Sequence, residues 1–222
     1  MIKIEPAWPV GFDAAIRGMR NPLNSWDKMD SYYIWPDEEE FHIGPNDHDL
    51  MMKLRNAGPD HRKFMRMIIV YTDITAPLYF FKEFDTYKVG TVSNSCSTMH
   101  KIAEKEFTLD DFSHEHLTRR SLEILEDTIE VLNRYRDLYL NGGEDYFADA
   151  DDEDYEPKDK KMWWQMIQLL PSSYNQKRTV MLNYEVLANM YESRKNHKLD
   201  EWRDFCKWVE DLPYSELITG EK

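Results

Sequence analysis

The feature that most constrains the fold is a long run of helical periodicity between Asp110 and Leu140. Apolar residues recur in this run every three or four positions, which places them on one face of a helix. These residues are Leu122, Leu125, Ile129 and Leu132. Thr108 suits an N-cap, and Asn141-Gly142-Gly143 suits a helix end. The sequence therefore predicts one long amphipathic helix from about Asp110 to Leu140.

Shorter patterns indicate both strands and further helices. Alternating or β-branched runs predict strands at Ile2–Ile4 and Phe64–Thr72 and a turn or short strand at Gly90–Ser97. Helical spacing and capping residues predict helices at Phe12–Met19, from Asn46 or Asp47 to about Leu54, Ala76–Phe84, Met162–Leu170, Thr179–Arg194 and Asp200–Val209. The stretch Trp26–Pro45, with its acidic run Asp37–Glu40, is expected to be a long loop.

A second acidic stretch, Glu144–Lys161, is dense in aspartate and glutamate. Such a charge run favours a solvated, flexible insertion at the surface. It does not fit a calcium-binding EF-hand loop, because Asp154 stands where that loop requires glycine and Lys160 where it requires glutamate. A length of 222 residues is enough for one core, so we predict a single domain over residues 1–222 that carries this insertion.

Charge and composition restrict the partners. A net charge of −14 disfavours DNA or RNA, because proteins bind these polyanions by neutralising phosphates, but it is compatible with a local pocket for one small nucleotide. No run of about 18 apolar residues occurs, so no membrane span is expected. Cys96 and Cys206 form no CxxC pair, and the first residues carry acids without an apolar signal segment. We therefore expect a cytoplasmic protein.

The common catalytic and metal motifs do not occur in this sequence. There is no phosphate-binding glycine loop, nucleophile elbow or HExxH motif. His114-x-His116 has the wrong spacing for a metal on a helix, where ligands stand three or four residues apart. We interpret the pair as solvated surface histidines and expect no metal site.

Two polar constellations are candidates for a binding site. The segment Lys82–Lys101 concentrates hydroxyl, amide and basic groups, including Lys88, Asn94 and Ser97, and this combination suits a phosphate. A polar turn with a serine cap explains the same residues equally well. On the predicted helix Thr179–Arg194, Asn183, Asn189 and Arg194 would lie roughly along one side. Amides can bind the edge of a heterocycle, and arginine can bind a phosphate or a base carbonyl. The alternative interpretation is an ordinary solvent-exposed helix face.

The second constellation resembles the flavin-dependent thymidylate synthases. Their C-terminal helix has the order Asn, Asn, Arg and His that Asn183, Asn189, Arg194 and His197 repeat here. A Leu-Pro dipeptide precedes it, as Leu170-Pro171 does in this chain. Asn94-x-x-Ser97 is similar to half of the family's Arg-His-Arg signature, Lys88 is the one positive residue in the other half, and His61 matches an early histidine.

The resemblance implies an α+β fold with a central antiparallel or mixed sheet and long helices. It implies that FAD is bound by His61, Asn94, Asn183, Asn189 and His197, and that Lys88, Ser97 and Arg194 hold the nucleotide and serve catalysis. The implied reaction is methylation of dUMP, or of a related pyrimidine nucleotide, with methylenetetrahydrofolate and NADPH as co-substrates. The family's homotetramer with shared sites is implied as well.

The sequence departs from the family where arginines are expected. The Arg-His-Arg triplet falls on Tyr87-Lys88-Val89, and Ile167 and Gln168 stand where an arginine precedes the Leu-Pro pair. Lysine cannot reproduce the two-pronged hydrogen bonding of arginine. Two alternatives to an enzyme are therefore kept. One is a nucleotide-binding protein of the same fold that sequesters or senses its ligand, and the other is an interaction protein that uses the acidic insertion and binds no small molecule.

Overall fold

The computed structural model describes residues 2–34, 41–144 and 154–220. Its Cα positions fall into two compact units. The first unit comprises Thr75–Phe81 and Ser95–Lys177, and the second comprises Ile2–Ile74, Lys82–Asn94 and Arg178–Lys222. The single domain over residues 1–222 stays a prediction.

Strands and helices are interspersed along the chain. The strands are β1 (Lys3–Ile4), β2 (Tyr32–Tyr33), β3 (Phe41–His42), β4 (Ile69–Pro77), β5 (Thr91–Ser95), β6 (Gly143–Glu144), β7 (Asp154–Tyr155) and β8 (Asn175–Asn183). The helices are α1 (Phe12–Arg20), α2 (Pro45–Asn56), α3 (Leu78–Phe84), α4 (Thr98–Lys101), α5 (Arg119–Asn141), α6 (Lys160–Leu169), α7 (Tyr184–Arg194), α8 (Asp200–Glu210) and α9 (Glu216–Thr219). The predictions at Phe12–Met19, Gly90–Ser97, Met162–Leu170 and Asp200–Val209 are confirmed to within a few residues.

A four-stranded antiparallel sheet in the order β1-β4-β8-β5 is the largest sheet. In β4 the side chains of Val70, Thr72 and Ile74 are buried while Tyr71 between them is exposed. This period-two burial is what a strand with one covered face requires. The predicted strand Phe64–Thr72 is therefore displaced, because residues 62–67 form a 3₁₀ turn and β4 begins at Ile69.

The predicted helix Thr179–Arg194 is wrong over its first part. Residues up to Asn183 belong to β8, where Val180 and Leu182 are buried at alternate positions. The helix α7 begins only at Tyr184, and every residue from Tyr184 to Ala188 is buried. Because the segment is covered on all sides, its apolar positions do not separate a period of two from a period of 3.6.

The long helix is confirmed as α5, but its start is not where the sequence placed it. Thr118 is the N-cap, and its side chain accepts a hydrogen bond from the backbone of Ser121. Thr108 instead caps a short 3₁₀ turn together with Asp111. Phe112 forms an isolated bridge with Tyr174, and a turn with a hydrogen bond from Leu117 to the His114 carbonyl follows, so His114 and His116 precede the helix.

Two other predicted boundaries change for local reasons. Pro77 is the last residue of β4 rather than the first of α3. Helix α2 begins at Pro45, and the Asp30 carboxylate accepts hydrogen bonds from the backbone of Asn46 and Asp47, so neither residue acts as the N-cap. Part of the predicted loop Trp26–Pro45 forms the hairpin ladder β2–β3, and its acidic run Asp37–Glu40 lies outside the described residues.

The acidic stretch Glu144–Lys161 is described only at its two ends. Glu144 and Asp154 face each other in the antiparallel ladder β6–β7, and α6 begins at Lys160. Residues 145–153 lie outside the described part, so the flexibility of this stretch stays a prediction.

Each unit has its own apolar core. In the first unit α5 and α6 pack together, and Leu125, Leu132 and Met166 join Phe107 and Phe112 in one buried cluster. In the second unit α7, α8 and α9 are in contact, and the fully buried side chains include Tyr184, Trp202, Phe205 and Leu217. Within the described ranges, no helix is long and apolar enough to cross a membrane.

Candidate functional site

Arg194 lies at the end of α7 inside a polar and aromatic cage of the second unit. Its Nη1 pairs with the Glu83 carboxylate, and its Nε donates a hydrogen bond to the Tyr87 hydroxyl at 2.9 Å. The guanidinium carbon lies 4.8 Å from the ring centre of Trp202 and 5.6 Å from that of Tyr87, which are cation–π distances. The side chain is about four-fifths buried, so its geometry is fixed before any ligand arrives.

Glu83 organises this cage through three donors. Besides Arg194, its Oε2 accepts a hydrogen bond from the Trp202 indole at 3.1 Å and lies 3.4 Å from the His197 Nε2. The Nδ1 of His197 accepts a hydrogen bond from the backbone of Leu199, so the imidazole proton that faces Glu83 is on Nε2. The carboxylate therefore offsets the charge of Arg194 and fixes the ring of His197.

Asn183 holds the start of α7. Its side-chain oxygen accepts a hydrogen bond from the backbone of Val186 at 2.9 Å, as an N-cap does, and the residue is 9% exposed. Its amide nitrogen packs against Gly90, where an added Cβ would come within 2.5 Å and where φ is +85°. Only glycine fits this approach without strain. The Asn183 side chain is thus used inside the protein.

Asn189 belongs to a charged cluster that the sequence did not reveal. Its side-chain oxygen accepts a hydrogen bond from Arg62 at 2.6 Å. The largely buried Glu185 carboxylate lies between Arg62, at 3.8 Å, and Arg66, with which it makes a direct ion pair. The hydrogen bond from Arg66 to Glu185 and the negative charge of that carboxylate raise the pKa of Arg66.

A cavity of about 640 Å³ opens beside this cluster in the second unit. Its apolar lining residues are Met19, Pro22, Leu23, Leu54, Phe64 and Met67, and its polar ones are Asp60, His61, Lys63 and Arg66. The volume lies within the usual range for small-molecule sites, and apolar walls with a few polar groups are their usual composition. Among the predicted residues, His61 lines this cavity, and it is exposed.

The remaining predicted residues lie on the surface. Lys88 and Asn94 are exposed in the second unit, Asn94 on β5. Ser97 belongs to the first unit, where it is the N-cap of α4 and accepts a hydrogen bond from the backbone of His100. Seven of the eight predicted residues therefore belong to the second unit, and Arg194 and His197 share one carboxylate.

Neither the buried Cys206 thiol nor a cluster of metal ligands offers an alternative site among the described residues. Burial raises the pKa of the Cys206 thiol to about 11, which makes it a poor nucleophile at neutral pH. In the parts of the chain that the structure describes, no group of three metal-ligating side chains converges, and His114 is bonded to the carbonyl of Phe112.

Sequence reasoning missed Glu83, Arg62 and Arg66. Glu83 stands in an apolar helix, and no spacing linked it to a residue 111 positions later. Arg62 and Arg66 did leave a signal, because with His61 and Lys63 they form a basic run in an acidic chain. A search for clusters of basic residues within this negatively charged chain could have found them.

Comparison with solved structures identifies the architecture. No protein-family profile and no curated protein matches this sequence. The structure of thymidylate synthase X (ThyX) from Helicobacter pylori with FAD and dUMP is similar, with a TM-score of 0.67 and 15% identity, over 99% of this chain and 98% of that one. The UMP/dUMP methylase PolB from Streptomyces cacaoi, bound with 5-Br dUMP, gives 0.60 at 11% identity, over 99% and 94%.

This chain has the fold of the flavin-dependent thymidylate synthases. A second ThyX structure from Helicobacter pylori, complexed with FAD and dUMP, agrees, with a TM-score of 0.64 at 15% identity over 99% and 98% of the two chains. The predicted fold class is thereby confirmed. At such identities the similarity concerns the fold and not the chemistry.

The residues around the His61 cavity fit a planar, anionic group such as FAD. The apolar walls suit a flat ring, whereas His61, Lys63 and Arg66 supply donors and positive charge. Arg62, next to His61 in the chain, does not line the cavity; its Nε is buried without a hydrogen-bond partner among the described residues. Asn94 and Asn189 have exposed amides, but the polar atoms of Asn183 and His197 are engaged within the protein.

Proposed function

We propose that this chain binds FAD and a pyrimidine nucleotide of the dUMP class and modifies the pyrimidine ring. The observation that carries the proposal is the cavity beside His61, which combines apolar walls with the polar groups of His61, Lys63, Arg66 and Asp60. Two of the similar solved structures hold FAD and dUMP, and a third is a UMP/dUMP methylase. Methylenetetrahydrofolate and NADPH as co-substrates, a homotetramer and a cytoplasmic location remain part of the proposal.

His61, Lys63 and Arg66 would hold the flavin at the cavity, with Asn94 and Asn189 as further amide contacts. Flavin supplies hydride transfer when bound. Asn183 and His197 would contribute by fixing the two ends of α7, since their polar atoms bond to the protein. The chain's own contribution is therefore a rigid helix that presents its side chains in one geometry.

Arg194 is suited to a neutral oxygen of the nucleotide. Glu83 offsets its charge, while within the described residues the N–H groups of Nη2 have no hydrogen-bond partner. A fixed guanidinium that is already paired with a carboxylate favours a pyrimidine carbonyl over a phosphate dianion, because the ion pair as a whole carries little net charge. The assignment of Lys88 and Ser97 to the nucleotide stays a prediction from the resemblance.

The test of the flavin site is the visible absorption of purified protein after incubation with FAD and desalting. We expect the wild type to retain flavin absorbance. His61→Ala should retain at least about tenfold less at limiting FAD, because a hydrogen bond and a wall of the cavity are lost. His116→Ala, an exposed histidine in the first unit, is the control and should behave like the wild type. A folded wild-type protein without flavin absorbance would rule out the flavin enzyme.

A nucleotide-binding protein without redox chemistry is the second candidate. The pairing of Arg194 with Glu83 and the replacement of the family's arginine triplet by Tyr87-Lys88-Val89 favour it. It predicts tight dUMP binding with neither flavin retention nor dTMP formation in the presence of FAD, NADPH and methylenetetrahydrofolate. Product analysis by chromatography separates the two candidates.

Replacing Arg194 tests the placement of the nucleotide in either case. We expect Arg194→Ala to weaken dUMP binding by about tenfold or more, since a hydrogen bond from a charged group contributes about 1.5–3 kcal/mol. Arg119→Ala, which removes an arginine that is 95% exposed on α5 in the first unit, is the control. Isothermal titration with dUMP gives the affinities, and circular dichroism verifies folding. Unchanged affinity in folded Arg194→Ala would contradict this placement.

A further inference from the structure

A second cavity of the second unit, of about 530 Å³, lies beside the chain that follows α1. Residues 21–23 and 26–28 form short 3₁₀ turns there, and α2 supplies the remaining wall. The lining residues are Arg20, Leu23, Ser25, Lys28, Asn46 and Leu50. Among the described residues two cations and no carboxylate line this space, although the net charge of the chain is −14. Apart from Leu23, which also lines the cavity beside His61, none of these residues has a part in the proposed function.

Arg20 is the buried cation of this cavity. The residue is 3% exposed, and its Nε lies 2.6 Å from the Asp47 carboxylate. Its Nη1 donates to the carbonyl and to the hydroxyl of Ser25, each at 3.3 Å. Within the described part of the chain, the N–H groups of Nη2 have no acceptor. Because buried N–H groups are normally hydrogen-bonded, an oxygen of a ligand in the cavity is the acceptor that they lack.

The neighbours of Arg20 add further donors. The buried Ser25 hydroxyl accepts a bond from Arg20, and its own proton is given to no acceptor in the ranges that the structure describes. Lys28 is exposed and forms no ion pair within those ranges. Asn46 contributes an exposed amide, while Leu23 and Leu50 are the apolar part of the lining. A guanidinium, an ammonium, a hydroxyl and an amide therefore share one space with two leucines.

The charge balance of the cavity selects among anions. The Asp47 carboxylate already offsets Arg20, so the excess positive charge of the lining is that of Lys28 alone. Asp30, the next carboxylate along the chain, accepts hydrogen bonds from the backbone of Asn46 and Asp47 at 2.8 and 3.0 Å. A ligand with a single negative charge matches this balance better than a phosphate dianion does.

We propose that this cavity binds a small monocarboxylate with a short apolar chain. One carboxylate oxygen accepts from Nη2 of Arg20, the other accepts from Lys28 and the Ser25 hydroxyl, and the apolar chain lies against the two leucines. Hydrogen bonds between charged partners are the strong ones, and a guanidinium that the protein already holds in place loses little freedom on binding. The proposal goes beyond the flavin and nucleotide sites and depends on neither of them.

The test is titration of the full-length protein with butanoate, followed by saturation-transfer NMR on the ligand, without FAD or dUMP. We expect saturable binding by the wild type, at least about tenfold tighter than that of butanamide, which has the same shape without the charge. Lys28→Gln should weaken butanoate binding by about fivefold or more, and Ser25→Ala by about threefold or more. Lys53→Gln, which removes an exposed lysine of α2 outside the cavity, is the matched control and should bind like the wild type.

The variants leave the Arg20–Asp47 pair intact, so circular dichroism should show them folded. Absence of saturable butanoate binding by the folded wild type would overturn the site. So would unchanged affinity in folded Lys28→Gln, or butanamide binding as tightly as butanoate. Inorganic phosphate that binds the wild type more tightly than butanoate, and loses this affinity in Lys28→Gln, would overturn the choice of a monocarboxylate. Each of these results is independent of whether the protein retains flavin.

Discussion

Replacing Asp47 with alanine is expected to lower the free energy of unfolding by about 3–5 kcal/mol. Asp47 is fully buried, and its Oδ1 lies 2.6 Å from the Nε of Arg20, which is only 3% exposed. The substitution leaves a guanidinium without its counter-charge inside the protein. Removing one partner of a buried ion pair is among the most destabilising single changes, because the remaining charge stays desolvated.

The loop before α2 adds to this effect. The Oδ2 of Asp47 accepts hydrogen bonds from the backbone of Asp30 and from both the backbone and the hydroxyl of Ser31. All of these donors lose their acceptor in the alanine variant. Asp13→Ala is the matched control, since it removes an ion pair with Arg17 on the surface of α1 and should cost only about 0.3–0.5 kcal/mol.

The Asp47 carboxylate also makes the free energy of unfolding depend on pH. Desolvation raises the pKa of Asp47, but the hydrogen bonds from Ser31 and Asp30 and the charge of Arg20 outweigh it, so the pKa is lowered. A lowered pKa in the folded state means that the stabilisation is present above the ordinary value of about 3.9 and is lost as the pH falls through the folded-state value. The difference in urea-unfolding free energy between wild type and Asp47→Asn should therefore be constant near neutrality and shrink below about pH 4. A pH-independent difference would contradict the ionised pair.

Local sequence patterns were sufficient to predict some elements of this fold and insufficient for others. Helix α5 was predictable because Leu125 and Leu132 recur on one face and Gly142 ends the helix with φ of +71°. The start of α5 was not, because the bridge from Phe112 to Tyr174 joins residues 62 positions apart. The local sequence carries no sign of such a long-range contact. The capping residue Thr108 therefore led to a helix start that is too early.

The candidate site likewise contains residues that the sequence identified and residues that only the structure revealed. Arg194 could be selected from its helical spacing, and the resemblance to the family implied His197. Their common partner Glu83 could not, since a single glutamate in an apolar helix has no pattern of its own. The helix prediction also placed Asn183 on the face of α7, whereas it is the N-cap, and this changes it from an exposed amide to a buried one. The order of the residues was thus informative, and the directions of their side chains required the fold.

Replacing Trp202 with alanine is the second change with a large expected effect, a loss of about 3–5 kcal/mol in the free energy of unfolding. The indole is fully buried, stacks on Phe84 at 6.4 Å between ring centres and meets Phe205 edge-on at 5.5 Å. Truncation would leave a cavity that these rings cannot fill without moving. Thermal or urea unfolding monitored by circular dichroism measures the loss.

The position of Trp202 ties this stability to the candidate site. Its indole donates to Glu83, and its face carries the guanidinium of Arg194, so the alanine variant removes one donor and one wall of the cage together. Trp202→Phe keeps a ring but removes the donor, and we expect it to lose about 1.5–3 kcal/mol, as for a hydrogen bond to a charged group.

Trp164→Ala is the control, because its side chain in α6 is 42% exposed, and surface substitutions usually change the stability by no more than about 0.5 kcal/mol. If Trp202→Ala proved no more destabilising than Trp164→Ala, the buried cage would be wrong. If instead Trp202→Phe were as stable as the wild type, the indole hydrogen bond to Glu83 would contribute nothing. The Glu83 carboxylate would then be held by Arg194 and His197 alone.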